Sequence, residues 1–174
     1  MKTTTKKAQT KAQQNSPRAV RWLRMAEDAG ACKERKAYFQ ALEAEGALTE
    51  SEVTLKDAAW LITNAPADRL SAADVSALVT RVGESWDPAW FLTNAPADRL
   101  TPTNVRDLVA RVTRPGDASW VLRDAPAGRL VEEDVHALVA RVTSSWAAAE
   151  VLRYAPAGRL SEADRVRLAK VAAW

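Results

Sequence analysis

The sequence predicts an all-α protein: a right- or left-curving α-solenoid of about four 30-residue helix-pair repeats with an N-terminal helical cap. The hexapeptide Ala-Pro-Ala-Asp/Gly-Arg-Leu occurs four times, at 65–70, 95–100, 125–130 and 155–160, always 30 residues apart. A constant period of this size is typical of stacked repeat proteins. Each copy also carries apolar residues at the i, i+3, i+4, i+7 spacing of one helix face. Because a single short helix pair cannot bury that face, successive copies are expected to stack on one another.

The copy that begins at Leu100 shows what specifies the first helix of a repeat. Thr101 is an N-cap candidate, and Pro102 suits the first helical position, where a missing N–H costs nothing. Val131 replaces the capping residue in the next copy, so that helix start is expected to be looser. The third helical position of each first helix holds a side chain that favours the helix start: Asp74, Asn104, Asp134 and Asp164. The apolar face consists of Val75, Leu78, Val79 and Val82, of Val105, Leu108, Val109 and Val112, and of Val135, Leu138, Val139 and Val142.

A short turn leads to a second, shorter helix in each repeat. We expect these helices to run from Pro88 to about Ala95 and over the equivalent ranges 118–125 and 148–155. Asp87 precedes the first of them as a capping carboxylate. The repeated proline ends each helix, because proline disfavours helical geometry in the residue before it. The closing segment, 161–174, is predicted to be a first helix without a second.

Three segments are predicted along the chain: a disordered basic arm at 1–15, a helical cap at 16–47 and the helical-repeat domain at 48–174. In the cap, one helix starts at Ser16-Pro17 and stops before Gly30. A second helix over 31–45 is ended by Gly46. The segment 48–53 resembles a truncated repeat start.

Basic residues are concentrated near the N-terminus. Residues 1–40 hold ten Lys/Arg against three Asp/Glu, whereas residues 41–174 hold fifteen against nineteen, within a net charge of +3. The basic arm predicts contact with phosphates or another anionic surface, or else a solvated tail.

The single cysteine, Cys32, excludes an internal disulfide and fits a reducing compartment. With no apolar run of the roughly 20 residues that span a bilayer, and no secretory leader, we expect a cytoplasmic protein of bacterial or phage-like composition.

The tryptophans are the leading candidates for a partner-binding face. Three of them share one repeat position, which Glu150 takes in the fourth copy, and two more lie one helical turn earlier. A row of indoles can hold an extended partner by stacking or through indole N–H groups. The alternative is that the rings pack between successive repeats as core. The predicted partner-binding residues are Trp60, Trp86, Trp90, Trp120, Trp146, Arg123 and Arg153.

Arginines at constant spacing support an alternative, nucleic-acid binding, because such rows can track successive phosphates. The competing interpretation is that they pair within the repeats and satisfy exposed helix carbonyls. The candidate nucleic-acid-binding residues are Lys2, Lys6, Lys7, Lys11, Arg18, Arg21, Arg24, Arg81, Arg111 and Arg141.

Catalysis has little support in the sequence. His136 occupies a position that varies between copies, and Cys32 has no histidine nearby. No metal-ligand cluster, phosphate-binding glycine loop or paired-carboxylate motif is present. We therefore expect no enzyme activity, no cofactor and no metal.

The helix-pair repeats over residues 48–174 resemble the HEAT-like α-solenoids. The resemblance implies a scaffold that binds proteins or nucleic acids on a concave face. A small enzyme branch, the HEAT-like alkylpurine DNA glycosylases, cradles a damaged base with a tryptophan and a carboxylate. Trp90 with Asp87, or Trp120 with Asp117, are residues of those types, but no motif match assigns them these roles. The leading hypothesis is a non-enzymatic module that binds a protein partner or a second copy of itself. DNA binding is the alternative, and a glycosylase is the remote one.

Overall fold

The computed structural model describes residues 14–66, 68–83 and 86–174, and in these ranges the ordered elements are helices and turns, without a strand. The all-α prediction is therefore confirmed. The chain divides into two compact units, Met1–Val53 and Thr54–Trp174. Within the described ranges no helix combines the length and the apolar character needed to cross a membrane.

The first unit contains the two predicted cap helices. Helix α1 spans Pro17–Asp28 and α2 spans Lys33–Ala44. The Oγ of Ser16 accepts a hydrogen bond from the N–H of Ala19 at 3.4 Å, which caps α1. After the two helices, Gly30 and Gly46 adopt φ angles of 82° and 69°, the left-handed region in which a glycine carries no Cβ penalty. The truncated repeat start forms only a short 3₁₀ turn at Glu50–Glu52.

The second unit is built from eight helices in the part of the chain described. They are α3 (Leu55–Asn64), α4 (Ala72–Val79), α5 (Trp86–Asn94), α6 (Pro102–Arg111), α7 (Pro115–Asp124), α8 (Glu132–Arg141), α9 (Ser145–Tyr154) and α10 (Glu162–Ala172). Helices α4, α6, α8 and α10 are the predicted first helices, and α3, α5, α7 and α9 occupy the second-helix position.

Reciprocal hydrogen bonds start most of the first helices. In α4 the Oγ of Ser71 accepts from the N–H of Asp74, and the Asp74 carboxylate accepts from the N–H of Ser71, both at 3.2 Å. The same capping box forms at α6 and α10. At α8 the side chain of Val131 has no acceptor, and only the bond from its N–H to Asp134 remains, at 3.4 Å. The start of α8 therefore lacks one of the two capping bonds, in line with the sequence.

The second helices begin two to three residues earlier than predicted. Helix α7 includes Pro115, which fits the first turn, where its missing N–H is not needed. Helix α9 starts at Ser145 because the Oγ of Ser144 accepts from the N–H of Ala147 at 3.2 Å. Asp87 consequently lies inside the first turn of α5 rather than before it. The second helices end just before the repeated Ala-Pro, as predicted.

The core follows the predicted apolar spacing. Val105, Leu108, Val109 and Val112 are at most 3% exposed, and their equivalents in the neighbouring copies are buried as well. Equivalent helices of successive copies contact one another: α4 with α6, α6 with α8, and α8 with α10, as well as α5 with α7 and α7 with α9. Each second helix also contacts the first helix that follows it along the chain: α3 with α4, α5 with α6, α7 with α8 and α9 with α10. Successive copies are therefore in contact through helices of the same repeat position.

Candidate binding face on the second helices

The second helices carry three successive positions one helical turn apart, which point to the same side of each helix. These positions and the adjacent Thr/Arg position form what we call the second-helix face. Its members are Lys56, Trp60, Thr63 and Asn64 on α3, Trp86, Trp90, Thr93 and Asn94 on α5, Gly116, Trp120, Arg123 and Asp124 on α7, and Trp146, Glu150, Arg153 and Tyr154 on α9.

An apolar cavity of about 370 Å³ lies between α3 and α5. Trp60 and Trp90, one from each helix, both line it. The ring of Trp90 also meets the ring of Phe91 edge-to-face, at 5.4 Å between centroids and 89° between planes. Phe91 is only 1% exposed, so this contact ties Trp90 to the core. The whole lining is Leu55, Lys56, Ala59, Trp60, Thr63 and Asn64 from α3 and Asp87, Trp90 and Phe91 from α5.

The predicted tryptophans differ in exposure. Trp60, Trp90 and Trp120 are half-buried, which places them between the two interpretations that the sequence left open. Trp146 is 66% exposed. The side chain of Trp86 lies outside the described residues. Of this row, the structure brings Trp60 and Trp90 together at one cavity.

At the other end of the face the residues are charged. The Arg123 guanidinium on α7 lies 3.1 Å from Glu150 on α9 and 2.7 Å from Asp124. The hydrogen bond to Asp124 raises the pKa of Arg123, and the negative charges of Asp124 and Glu150 raise it further. Desolvation by burial lowers this pKa but does not cancel the increase. Because the side chains are 26–39% exposed, solvent screens these pairs and each contributes little to stability. Arg153 lies over the Tyr154 ring, 5.1 Å from its centroid.

The two charged residues that line the α3–α5 cavity were not among the predicted partner-binding residues. Lys56 lies one turn before Trp60, at the same repeat position as Trp86 and Trp146. This shared repeat position could have indicated Lys56 as a residue of the same face. Asp87 was assigned a capping role, yet its carboxylate-bearing side chain forms part of the cavity wall. Both residues add charge to a lining that is otherwise mostly apolar.

The candidate nucleic-acid-binding arginines mostly have partners within the protein. Nη1 of Arg111 donates to the carbonyls of Val79 and Val82, at 3.0 and 2.8 Å, and Arg141 donates to its own helix at Ala137. Arg81 is half-buried, and its Nε has no hydrogen-bond partner among the described residues. In the first unit, Arg18 pairs with Glu50 and Arg24 with Glu27 and Glu43, while Arg21 is exposed. Lys2, Lys6, Lys7 and Lys11 lie outside the described residues.

His136 lies beside two oxygen-bearing side chains of the following repeat. Its Nε2 is 3.2 Å from Asp164 and 3.5 Å from the Oγ of Ser161. The Ser161 hydroxyl donates to Asp164 at 2.7 Å, so the same nitrogen faces both groups and no serine–histidine–carboxylate relay is formed. Within the described part of the chain, no group of three or more potential metal ligands comes together.

Comparisons with protein-family models, curated proteins and solved structures found no match. The candidate site is therefore defined by its geometry: an apolar, indole-lined cavity at one end of the second-helix face and a set of paired charges at the other.

Proposed function

We propose that this chain is a non-enzymatic binding module whose second-helix face receives a protein partner. In this proposal the second unit is an α-solenoid of the HEAT-like kind. Contacts between equivalent helices of successive copies support that architecture. The α3–α5 cavity, which Trp60 and Trp90 both line, is the single observation that carries the binding function.

Several properties of the face favour a polypeptide as the ligand. Tryptophan, tyrosine and arginine are the residues most enriched among binding hot spots, and the face contains all three. The cavity is apolar enough to accept one side chain of a partner, whereas its surroundings are polar. The charges at the α7–α9 end are of both signs and partly neutralise one another, which does not favour a polyanion there.

Selection of random peptides displayed on phage tests the proposal with the full chain as bait. We expect enriched sequences that bind the unmodified protein and lose about thirtyfold or more in affinity on Trp90→Ala or Trp60→Ala, since hot-spot truncations cost about 2 kcal/mol or more. Trp174→Ala is the matched control, because Trp174 is fully exposed on the segment after α10. Circular dichroism of each variant checks that the fold is retained.

Peptides that bind both tryptophan variants as tightly as the unmodified protein would contradict the proposal. So would a selection that yields no binder above background. Binding that is lost only in Trp174→Ala would move the site away from the second-helix face.

Nucleic-acid binding is the second candidate function. The excess of Lys/Arg over Asp/Glu in residues 1–40, ten against three, favours it. The relevant measurement is a gel shift with mixed-sequence DNA and RNA at low salt, followed by a salt titration, because phosphate contacts give a steep salt dependence. No shift at micromolar protein would exclude this function.

A DNA glycosylase activity remains the remote candidate. Trp90 and Asp87, a tryptophan and a carboxylate of the types that such glycosylases use, line the same cavity. Release of alkylated bases from methylated DNA, absent in Asp87→Asn, is the result that this activity requires.

A further inference from the structure

We propose that the α3–α5 cavity binds an organic cation, namely the alkylammonium group of a lysine-type side chain on the partner protein. The inference rests on the proposed protein-binding function and names the chemistry that the cavity recognises. Its basis is the presence of two indoles and one carboxylate in the lining of a single cavity.

The indoles supply the first part of the argument. Trp60 and Trp90 come from adjacent helices and both contribute to the wall. Tryptophan is the most favourable aromatic side chain for a cation, because its ring carries negative potential on its faces. The edge-to-face contact with buried Phe91 fixes Trp90 against the core, so this half of the cavity is held in place before a ligand arrives.

Asp87 supplies the second part. It is half-buried in the first turn of α5, and within the described part of the chain no ion pair or hydrogen bond engages its carboxylate. A purely apolar ligand would remove water from this carboxylate without supplying a hydrogen bond or a charge to compensate the desolvation cost. A cation placed between the indoles would compensate that loss through its charge.

Lys56 carries a positive charge that repels a bound cation, so charge-removing variants should change the affinity in a predictable direction. It lines the same cavity but is exposed, and its long stem allows the ammonium group to point into solvent. If the ligand is a cation, removal of the Lys56 charge strengthens binding and removal of the Asp87 charge weakens it. An anionic ligand requires the reverse of both effects.

Choline and its neutral carbon isostere, 3,3-dimethylbutan-1-ol, test the proposal on the full chain. The readout is the set of indole N–H signals in ¹⁵N-labelled protein, with Trp60→Phe and Trp90→Phe used for assignment. We expect choline to shift the Trp60 and Trp90 signals and to bind about tenfold tighter than the isostere, the size expected of a partly desolvated cation–π contact. Asp87→Asn should weaken choline binding about fivefold, and Lys56→Ala should strengthen it.

A second experiment with a short peptide tests whether the cavity accepts the cation when it is part of a polypeptide. A short blocked peptide with one trimethyllysine should behave as choline does, and the same peptide with leucine at that position should not. Equal binding of choline and the isostere overturns the cation proposal, as does an unchanged choline affinity in Asp87→Asn. If display-selected peptides still depend on Trp60 and Trp90 in that case, the protein-binding function stands and only the cation is wrong.

Discussion

Arg129 donates through Nη2 to the carbonyl oxygen of Ala95, 34 residues earlier in the chain, at 2.7 Å. Its Nη1 also reaches the carbonyls of Phe91 and Leu92. The arginine of one repeated hexapeptide therefore caps the C-terminal end of the second helix in the preceding copy, the end at which the last carbonyls run out of helical partners. The Phe91 carbonyl, which also accepts from the N–H of Ala95, is shared between the two donors. Arg99 and Arg159 make the equivalent bonds to Ala65 and Ala125. This contact accounts for three of the four arginines in the repeated hexapeptide, Arg99, Arg129 and Arg159.

Arg129→Lys is expected to lower the free energy of unfolding by about 2–3 kcal/mol, because one ammonium cannot serve three carbonyls in a fixed fork. Arg129 is only 9% exposed, so water does not easily replace the lost bonds. Urea unfolding measures the change. Arg153→Lys, on the exposed face of α9, is the control and should change stability by less than about 0.5 kcal/mol. Equal midpoints for the two variants would show that the carbonyl contacts are not stabilising.

Val131→Ser should stabilise the protein by about 1 kcal/mol, the usual value of an N-cap hydroxyl. The substitution supplies the acceptor that α8 lacks, and Val131 is 44% exposed, so little core packing is lost. Thermal unfolding followed by circular dichroism gives the answer. In the opposite direction, Ser161→Ala at the start of α10 should destabilise by a similar amount. A lower melting temperature for Val131→Ser would mean that the valine makes contacts worth more than the cap.

The Arg123–Glu150 pair should contribute about 0.5 kcal/mol in a double-mutant cycle of the two alanine variants. Both side chains remain partly exposed, so the coupling energy should shrink further in 1 M salt. The cycle is measured by urea unfolding at low and high salt. A coupling energy above about 2 kcal/mol, or one that salt does not change, would contradict this description of the α7–α9 end.

Glu27 should make the first unit sensitive to acid. A hydrogen bond from Gln40 lowers the pKa of Glu27, with a further contribution from Arg24, against the opposing effect of burial. Since the folded pKa lies below the unfolded one of about 4.3, its stabilisation is present above that pH and is lost as pH falls through the folded value. Glu27→Gln should therefore lose less stability than the unmodified protein between pH 6 and pH 3. Parallel pH profiles for the two proteins would refute the assignment.

The sequence predicted the core well because helix spacing alone decides which residues share a face. The apolar residues of α6, for example, lie at the spacing of one helix side and are buried as expected. The α3–α5 cavity was beyond the same reasoning. Whether Trp60 and Trp90 line one cavity depends on how two helices 30 residues apart are placed, which no local pattern specifies. Asp87 shows a second limit, because its capping role was inferred from a helix start that the fold places earlier.

The most direct measurement of the central claim is an indole N–H titration of the labelled full chain with a display-selected peptide. The second-helix face is the binding site in this account, so the signals of Trp60 and Trp90 should move together and saturate at the same peptide concentration. The signals of Trp22, buried in the first unit, and of Trp174, fully exposed after α10, should stay in place. Movement of the Trp174 signal with Trp60 and Trp90 unchanged would contradict the account.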